Sequence, residues 1–199
     1  MTKTIDYYYT HASPWTYLGA ERFFGIAAAA GAAINFRPSS LHVIFPQSGG
    51  LPLAKRAPQR QAYRMMELKR WHDHLGIPIN FEPAFFPVSD EQSVLMVIAA
   101  QLQGEDIAQL TYAYSRAVWA EERDVSDEDT MVAIADQQGF DGKALLAASN
   151  EAGPKETLEA YTQEAMERQV FGAPTYIYKD ELFWGQDRLD FLERALARD

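Results

Sequence analysis

The chain opens on a short run of β-forming residues, Ile5-Asp6-Tyr7-Tyr8-Tyr9, which reads as a strand. Ser13 and Pro14 follow. Serine is a favoured helix N-cap, and proline suits the first helical turn because its missing N–H would have no partner there. The helix they open is expected to run to Gly31, a residue suited to the position just past a helix end. In "AINFRP", Ile34 and Phe36 alternate and Pro38 closes a second strand. Strand, helix and strand joined by short links predict parallel strands and a right-handed crossover. Near the other end, "PTYIYKDELFWG" predicts an antiparallel hairpin around Lys179-Asp180, a turn without glycine. Leu189, Leu192 and Leu196 then recur at i, i+3 and i+7, an amphipathic helix with Asp187 and Asp190 as its N-terminal signature.

Between these ends the pattern is helical. Met65, Leu68, Trp71 and Leu75 share a face, and Gly76 and Pro78 close that helix. Further helices are predicted over 90–103, 105–121, 127–138, 141–149 and 154–168, the last with Pro154 in an N1-like place. Segments 38–58 and 77–89 hold much of the Pro and Gly and are expected to be loops. The first is long enough to be functional. The order βαβ, helices, ββα is that of an α/β thioredoxin-like fold with a large all-helical insertion of the DsbA kind. Residues 1–40 and 169–199 are expected to form a discontinuous thioredoxin-like domain, and 41–168 the insertion.

Composition narrows the function. The 199 residues are 47% hydrophobic, enough for one globular unit with a core. A net charge of −10 argues against a nucleic-acid or membrane-surface partner. The local exception is Lys55, Arg56, Arg60 and Arg64. The absence of cysteine excludes structural disulfides, thiolate metal sites and any dithiol cycle within the chain. No apolar stretch approaches the ~18 residues of a membrane helix. The start leads straight into a strand without a signal-like segment, so a cytoplasmic location is expected.

Ser13 is the first candidate for chemistry. A strand-to-helix junction offers free N–H groups and the positive end of the helix dipole, which favour an anion. Such a place stabilises a thiolate. Serine there has two readings, an ordinary N-cap or a hydroxyl that donates to a thiolate brought from outside. Loosely read, Ser13-Pro14-Trp15-Thr16 is a Cys-Pro-x-Cys site with oxygen for both sulfurs. "VFGAPT" is the second candidate, because Pro174 falls where a thioredoxin-like fold has its cis-proline. There Ala173 would offer backbone N–H and C=O to an extended peptide. His72 and His74, two apart on a helix, point in different directions and make a poor metal pair. No metal site is expected. His11, two residues before Ser13, is a candidate substrate contact or proton relay at the rim, or a surface loop histidine. Trp15 and Tyr63 are candidates for the substrate pocket, with packing in the core as the alternative for Trp15.

"SPWTYLG", "PQRQAYRMMELKRW", "GIP", "VFGAPT" and "FWGQDRLDFLERAL" occur in this order across nearly the whole chain. Together they resemble the 2-hydroxychromene-2-carboxylate isomerase family, relatives of the kappa-class glutathione transferases. The resemblance implies glutathione as bound cosubstrate, with Ser13 facing its sulfur. It implies a cis-proline at Pro174, pairing of the cysteinyl unit at Ala173, and contacts to the γ-glutamyl end at Gln186 and Asp187. Asp187 also reads as a plain N-cap. Arg60, three residues before Tyr63, matches a family Lys or Arg and is a candidate for the glycyl carboxylate or an anionic substrate. A solvated helix-face arginine is the other reading. Kappa-type members carry an asparagine in the preceding loop, and "SGGLPLAKRAP" has no evident match to it. The implied activity is glutathione-dependent cis–trans isomerisation of a small aromatic unsaturated keto acid by a cytoplasmic homodimer. A transferase that keeps the conjugate, or a non-catalytic glutathione- or peptide-binding protein, shares the same features.

Overall fold

The computed structural model describes residues 2–198. Met1 and Asp199, the outer limits of the expected thioredoxin-like domain, lie outside the described residues. The elements in chain order are β1 (Thr4–Tyr9), α1 (Pro14–Ala29), β2 (Ala33–Pro38), α2 (Leu41–Ser48), α3 (Pro58–Leu75), α4 (Glu91–Leu102) and α5 (Ala108–Trp119). They continue as α6 (Glu128–Gln137), α7 (Gly142–Ser149), α8 (Ala152–Glu167), β3 (Thr175–Tyr178), β4 (Glu181–Trp184) and α9 (Leu189–Ala197). The sheet order is β2-β1-β3-β4. β1 pairs parallel with β2, Tyr7 opposite Phe36, and antiparallel with β3, Tyr7 opposite Tyr176. This is the thioredoxin-like architecture, and the described elements between β2 and β3 are helical.

Alternation along β1 builds cores on both faces of the sheet. Ile5, Tyr7 and Tyr9 join Phe23, Phe36 and Tyr176 in the larger cluster, whereas Tyr8 joins Ile44, Ala165, Val170 and Ile177 in a second. Tyr7 stacks between Tyr9 and Tyr176, with ring centroids 4.7 and 5.3 Å away. Each such pair adds about 0.5–1.5 kcal/mol beyond the area it buries. The Tyr8 hydroxyl donates to Glu164 at 2.6 Å, joining β1 to α8. In α4 every residue from Ser93 to Ala100 is buried, so its apolar character runs around the helix rather than along one stripe.

Three expectations change. Segment 38–58 holds α2 and a 3-10 turn at Leu53–Lys55, not one long loop. Pro46 inside α2 removes one helical N–H, which hides the helix from pattern reading. Burial of Ile44 and a bond from Ser40 N–H to Thr162 Oγ1 at 3.0 Å hold α2 against α8. α8 begins at Ala152, two residues before Pro154, whose missing N–H still falls among the first, unpaired donors of the helix. Asp187 caps no helix: it lies within the 3-10 turn Gln186–Arg188, and Arg188 precedes α9. The β3–β4 turn does form without glycine, because Lys179 and Asp180 both take positive φ, 49° and 66°, the pattern of a type I′ hairpin turn.

Candidate active site

A cleft of about 980 Å³ opens where the sheet-side loops face the helical insertion. Ser13 stands at its edge. Its backbone is extended, at φ −92° and ψ 121°, and its Oγ accepts from Thr16 N–H at 3.3 Å, so it caps α1. The same Oγ donates to the Ala173 carbonyl at 3.2 Å. Cap and sheet-side loop thus meet at one hydroxyl. The Ala173–Pro174 peptide is cis. Gly185 N–H donates to the Pro174 carbonyl at 2.8 Å, and Thr175 Oγ1 donates to the Gly172 carbonyl at 2.7 Å, which fixes this loop on β4 and on itself.

The loop that presents Ser13 is anchored from the insertion. The Asp90 carboxylate accepts from Thr10 Oγ1 and from Ala12 N–H, the latter at 2.9 Å. Ser93 Oγ donates to the Asp90 carbonyl at 2.8 Å and lies 2.9 Å from His11 Nδ1. The single hydroxyl proton of Ser93 goes to Asp90, so His11 Nδ1 is the donor in the second bond and Nε2 is the bare nitrogen of a neutral ring. Nε2 has no partner. Burial pushes the His11 pKa down to about 4, against a smaller upward pull from Asp90. Trp119 Nε1 donates to the His11 carbonyl at 3.3 Å. No sequence signal marked Asp90, which meets this loop only through the fold.

Of the residues singled out in the sequence, Ser13, Trp15, Arg60, Tyr63 and Ala173 line the cleft. His11 does not: its side chain is fully buried between α4 and α5, facing Ser93 and the Tyr114 ring, so it cannot be a rim contact. Gln186 is buried as well, and its Cβ lies so close to α1 that a methyl group on Gly19 would meet it at 2.6 Å. It is not among the residues that line the cleft, and its amide nitrogen and oxygen are buried with no hydrogen-bond partner among the described residues. Asp187 is exposed on the same turn, with its carboxylate 2.8 Å from Arg188. The insertion adds Arg56, Arg64, Phe86 and Asp90 to the lining. His42 also lines it, bonded to Ser40 Oγ through Nδ1 at 2.7 Å. Among the described residues no three His, Asp or Glu side chains group as metal ligands. No described helix is long and apolar enough to cross a membrane.

A capped helix N-terminus facing a proline loop across one end of a mixed four-stranded sheet defines a thioredoxin-type site. The chain belongs to the DsbA-like thioredoxin domain family, whose model matches residues 4–197. Within that family it is 35% identical to a 2-hydroxychromene-2-carboxylate isomerase from Sphingobium xenophagum, over 98% of this chain and 99% of the relative. It is 26% identical to human glutathione S-transferase kappa 1, over 99% of this chain and 92% of that protein. A solved 2-hydroxychromene-2-carboxylate isomerase structure superposes with a TM-score of 0.79 at 25% identity, covering 98% of this chain and 95% of the other.

Proposed function

We propose that this protein is a glutathione-dependent isomerase of 2-hydroxychromene-2-carboxylate or a related aromatic unsaturated keto acid. The observation that carries the reading is Ser13 Oγ, poised between the N-terminus of α1 and the Ala173 carbonyl in a chain without cysteine. The full-length relatives named for this isomerase and for a glutathione transferase support it. Bound glutathione would supply a soft thiolate nucleophile, able to add to a conjugated carbonyl, allow rotation about the former double bond, and leave again.

The residues present fit that cosubstrate. Ala173 offers a carbonyl to the N–H of a cysteinyl unit running along the loop. That carbonyl now accepts from Ser13. A cysteinyl N–H taking it over would release the Ser13 hydroxyl to turn towards the sulfur. The hydroxyl and the first-turn N–H groups of α1 then stabilise negative charge on sulfur through charge-assisted hydrogen bonds and the helix dipole. Fixed donors at the sulfur hold the thiolate form ready and take it back after elimination. Trp15 and Tyr63 line the same cleft as Ser13 and would offer rings for an aryl group to stack on. Arg60, exposed on α3, is a candidate partner for the glycyl carboxylate.

Isothermal titration with glutathione tests the premise: saturable binding is expected, and no heat at about millimolar concentration sinks it. Product analysis then separates the chemistries. Recovery of free glutathione with an isomerised product is expected. A stable conjugate would instead favour the transferase chemistry named for the kappa relative.

A further inference from the structure

We propose that Arg64 binds the carboxylate of the substrate, and that the wall it forms with Phe86, backed by the buried Trp119, makes the cleft selective for planar conjugated or aromatic acids. The proposal rests on the isomerase reading of the cleft and adds a specificity-determining residue to it.

The argument begins with charge that has no partner. Arg60 and Arg64 stand one turn apart on α3 and Arg56 just precedes that helix; all three line the cleft. Among the described residues none of them pairs with a carboxylate. Arg56 Nε donates to the Leu51 carbonyl at 2.8 Å, and Arg64 reaches only the Met65 sulfur at 3.8 Å. This happens in a chain with 28 acidic and 18 basic residues, where counter-ions are plentiful. Other partly buried arginines are paired: Arg37 with Glu164 at 3.4 Å, and Arg168 with Asp6 at 3.1 Å. Two of the three acids that line the cleft are turned to other partners. Glu67 pairs with Arg70, and Asp90 holds Thr10 and Ala12. Glu91 is exposed and pairs with none of the three arginines.

Arg64 is the one enclosed by rings. Its guanidinium lies 5.7 Å from the centroids of both Phe86 and Trp119, which pack 4.8 Å from each other. Burial and then the neighbouring Arg56 push its pKa down to about 10, so it stays cationic at neutral pH while its solvation is reduced. An incoming anion would relieve both costs. The planar fork of a guanidinium matches a carboxylate through two parallel N–H bonds. The partly exposed Phe86 ring offers an apolar surface to the body that carries it, while the buried Trp119 backs the guanidinium from inside.

Placement favours the substrate over glutathione as the source of that carboxylate. Trp119 holds the His11 carbonyl, two residues before Ser13. The ring that backs Arg64 is thus tied to the loop that presents Ser13. Ala173, where the cysteinyl unit would run, belongs to the sheet-side loop before β3. A tripeptide aligned there, with its glycyl carboxylate at Arg60 one turn earlier on α3, leaves Arg64 to the electrophile.

The test uses trans-cinnamate and methyl cinnamate, matched probes differing in charge, with binding read by quenching of tryptophan fluorescence. Arg64→Met is expected to weaken cinnamate binding about 10- to 100-fold, the span expected for losing a charged hydrogen-bonded pair. Methyl cinnamate and glutathione affinities should stay within about twofold, and Arg64→Lys should fall between, keeping the charge but not the fork. Circular dichroism checks folding, and Arg64→Gln serves if the methionine variant does not fold. Equal losses for acid and ester, a fall in glutathione affinity in place of cinnamate affinity, or no cinnamate binding to the unaltered protein would each overturn the proposal. Turnover of 2-hydroxychromene-2-carboxylate is a separate readout, with KM expected to rise more than kcat falls. Arg64-dependent cinnamate binding without any chromene turnover would uphold the anion site and remove the isomerase reading instead.

Discussion

Replacing Ser13 by alanine removes one oxygen that the structure uses twice, and the two losses differ in size and in readout. As a cap, Ser13 Oγ accepts from Thr16 N–H at 3.3 Å. Losing a cap of this kind costs about 1 kcal/mol, which lowers Tm by about 2–4 °C in a protein of this size. As a donor to a bound thiolate, the hydroxyl is worth about 1.5–3 kcal/mol, which corresponds to about one to two pKa units on the glutathione sulfur. The sign follows directly. Removing a donor to the charged form raises the thiol pKa, so less thiolate is present at neutral pH. Turnover by Ser13→Ala should therefore fall about 10- to 100-fold near pH 7 and recover as pH rises through the new pKa. Ser13→Thr, which keeps a hydroxyl, should lose far less. The assay is the ultraviolet absorbance of enzyme-bound glutathione thiolate against pH, with Tm measured alongside. An unchanged thiol pKa and unchanged turnover, with only the few-degree drop in Tm, would reduce Ser13 to a helix cap and refute its part in the chemistry.

Two further outcomes follow from the packing around the site. The His11 pKa is pushed below its ordinary 6.5 to about 4 by burial, so the native state disfavours its protonation and stability falls as pH drops from 6.5 towards 4. The loss over that window is about 3 kcal/mol; a His11→Gln variant should show a flatter dependence of denaturation midpoint on pH, and identical slopes would refute the assignment. Gly19→Ala tests the contact of α1 with the turn before α9. Alanine favours a helix over glycine by about 1 kcal/mol, but its methyl group would sit 2.6 Å from Gln186 Cβ and 3.1 Å from the Tyr176 hydroxyl. A clash of this kind costs about 1–3 kcal/mol, so the net loss should reach up to about 2 kcal/mol, and a variant more stable than the original would contradict that packing.

The sequence by itself determined the local pieces. Ser13-Pro14 had to open a helix, alternation in 33–38 had to make a strand, and the apolar spacing of 65–75 had to make α3. Each rests on neighbours within one or two turns, whose preferences do not depend on distant residues. It also determined what the protein is not, because a chain without cysteine has no dithiol of its own. α2 escaped notice because Pro46 argues against it locally while Ile44 and Thr162 hold it from afar. His11 and Asp90 show the limit most plainly. Next to Ser13 in sequence, His11 reads as a rim residue, yet packing of α4 and α5 buries it as a neutral ring. Asp90, 77 residues beyond Ser13, becomes the clamp on its loop. Arg64 was visible only as one member of a charged run. Its enclosure by Phe86 and Trp119, and the absence of a carboxylate beside it among the described residues, arise from segments far apart in the chain. Burial, ring contact and counter-ion pairing depend on which distant segments meet, and those meetings were decided by the tertiary structure alone.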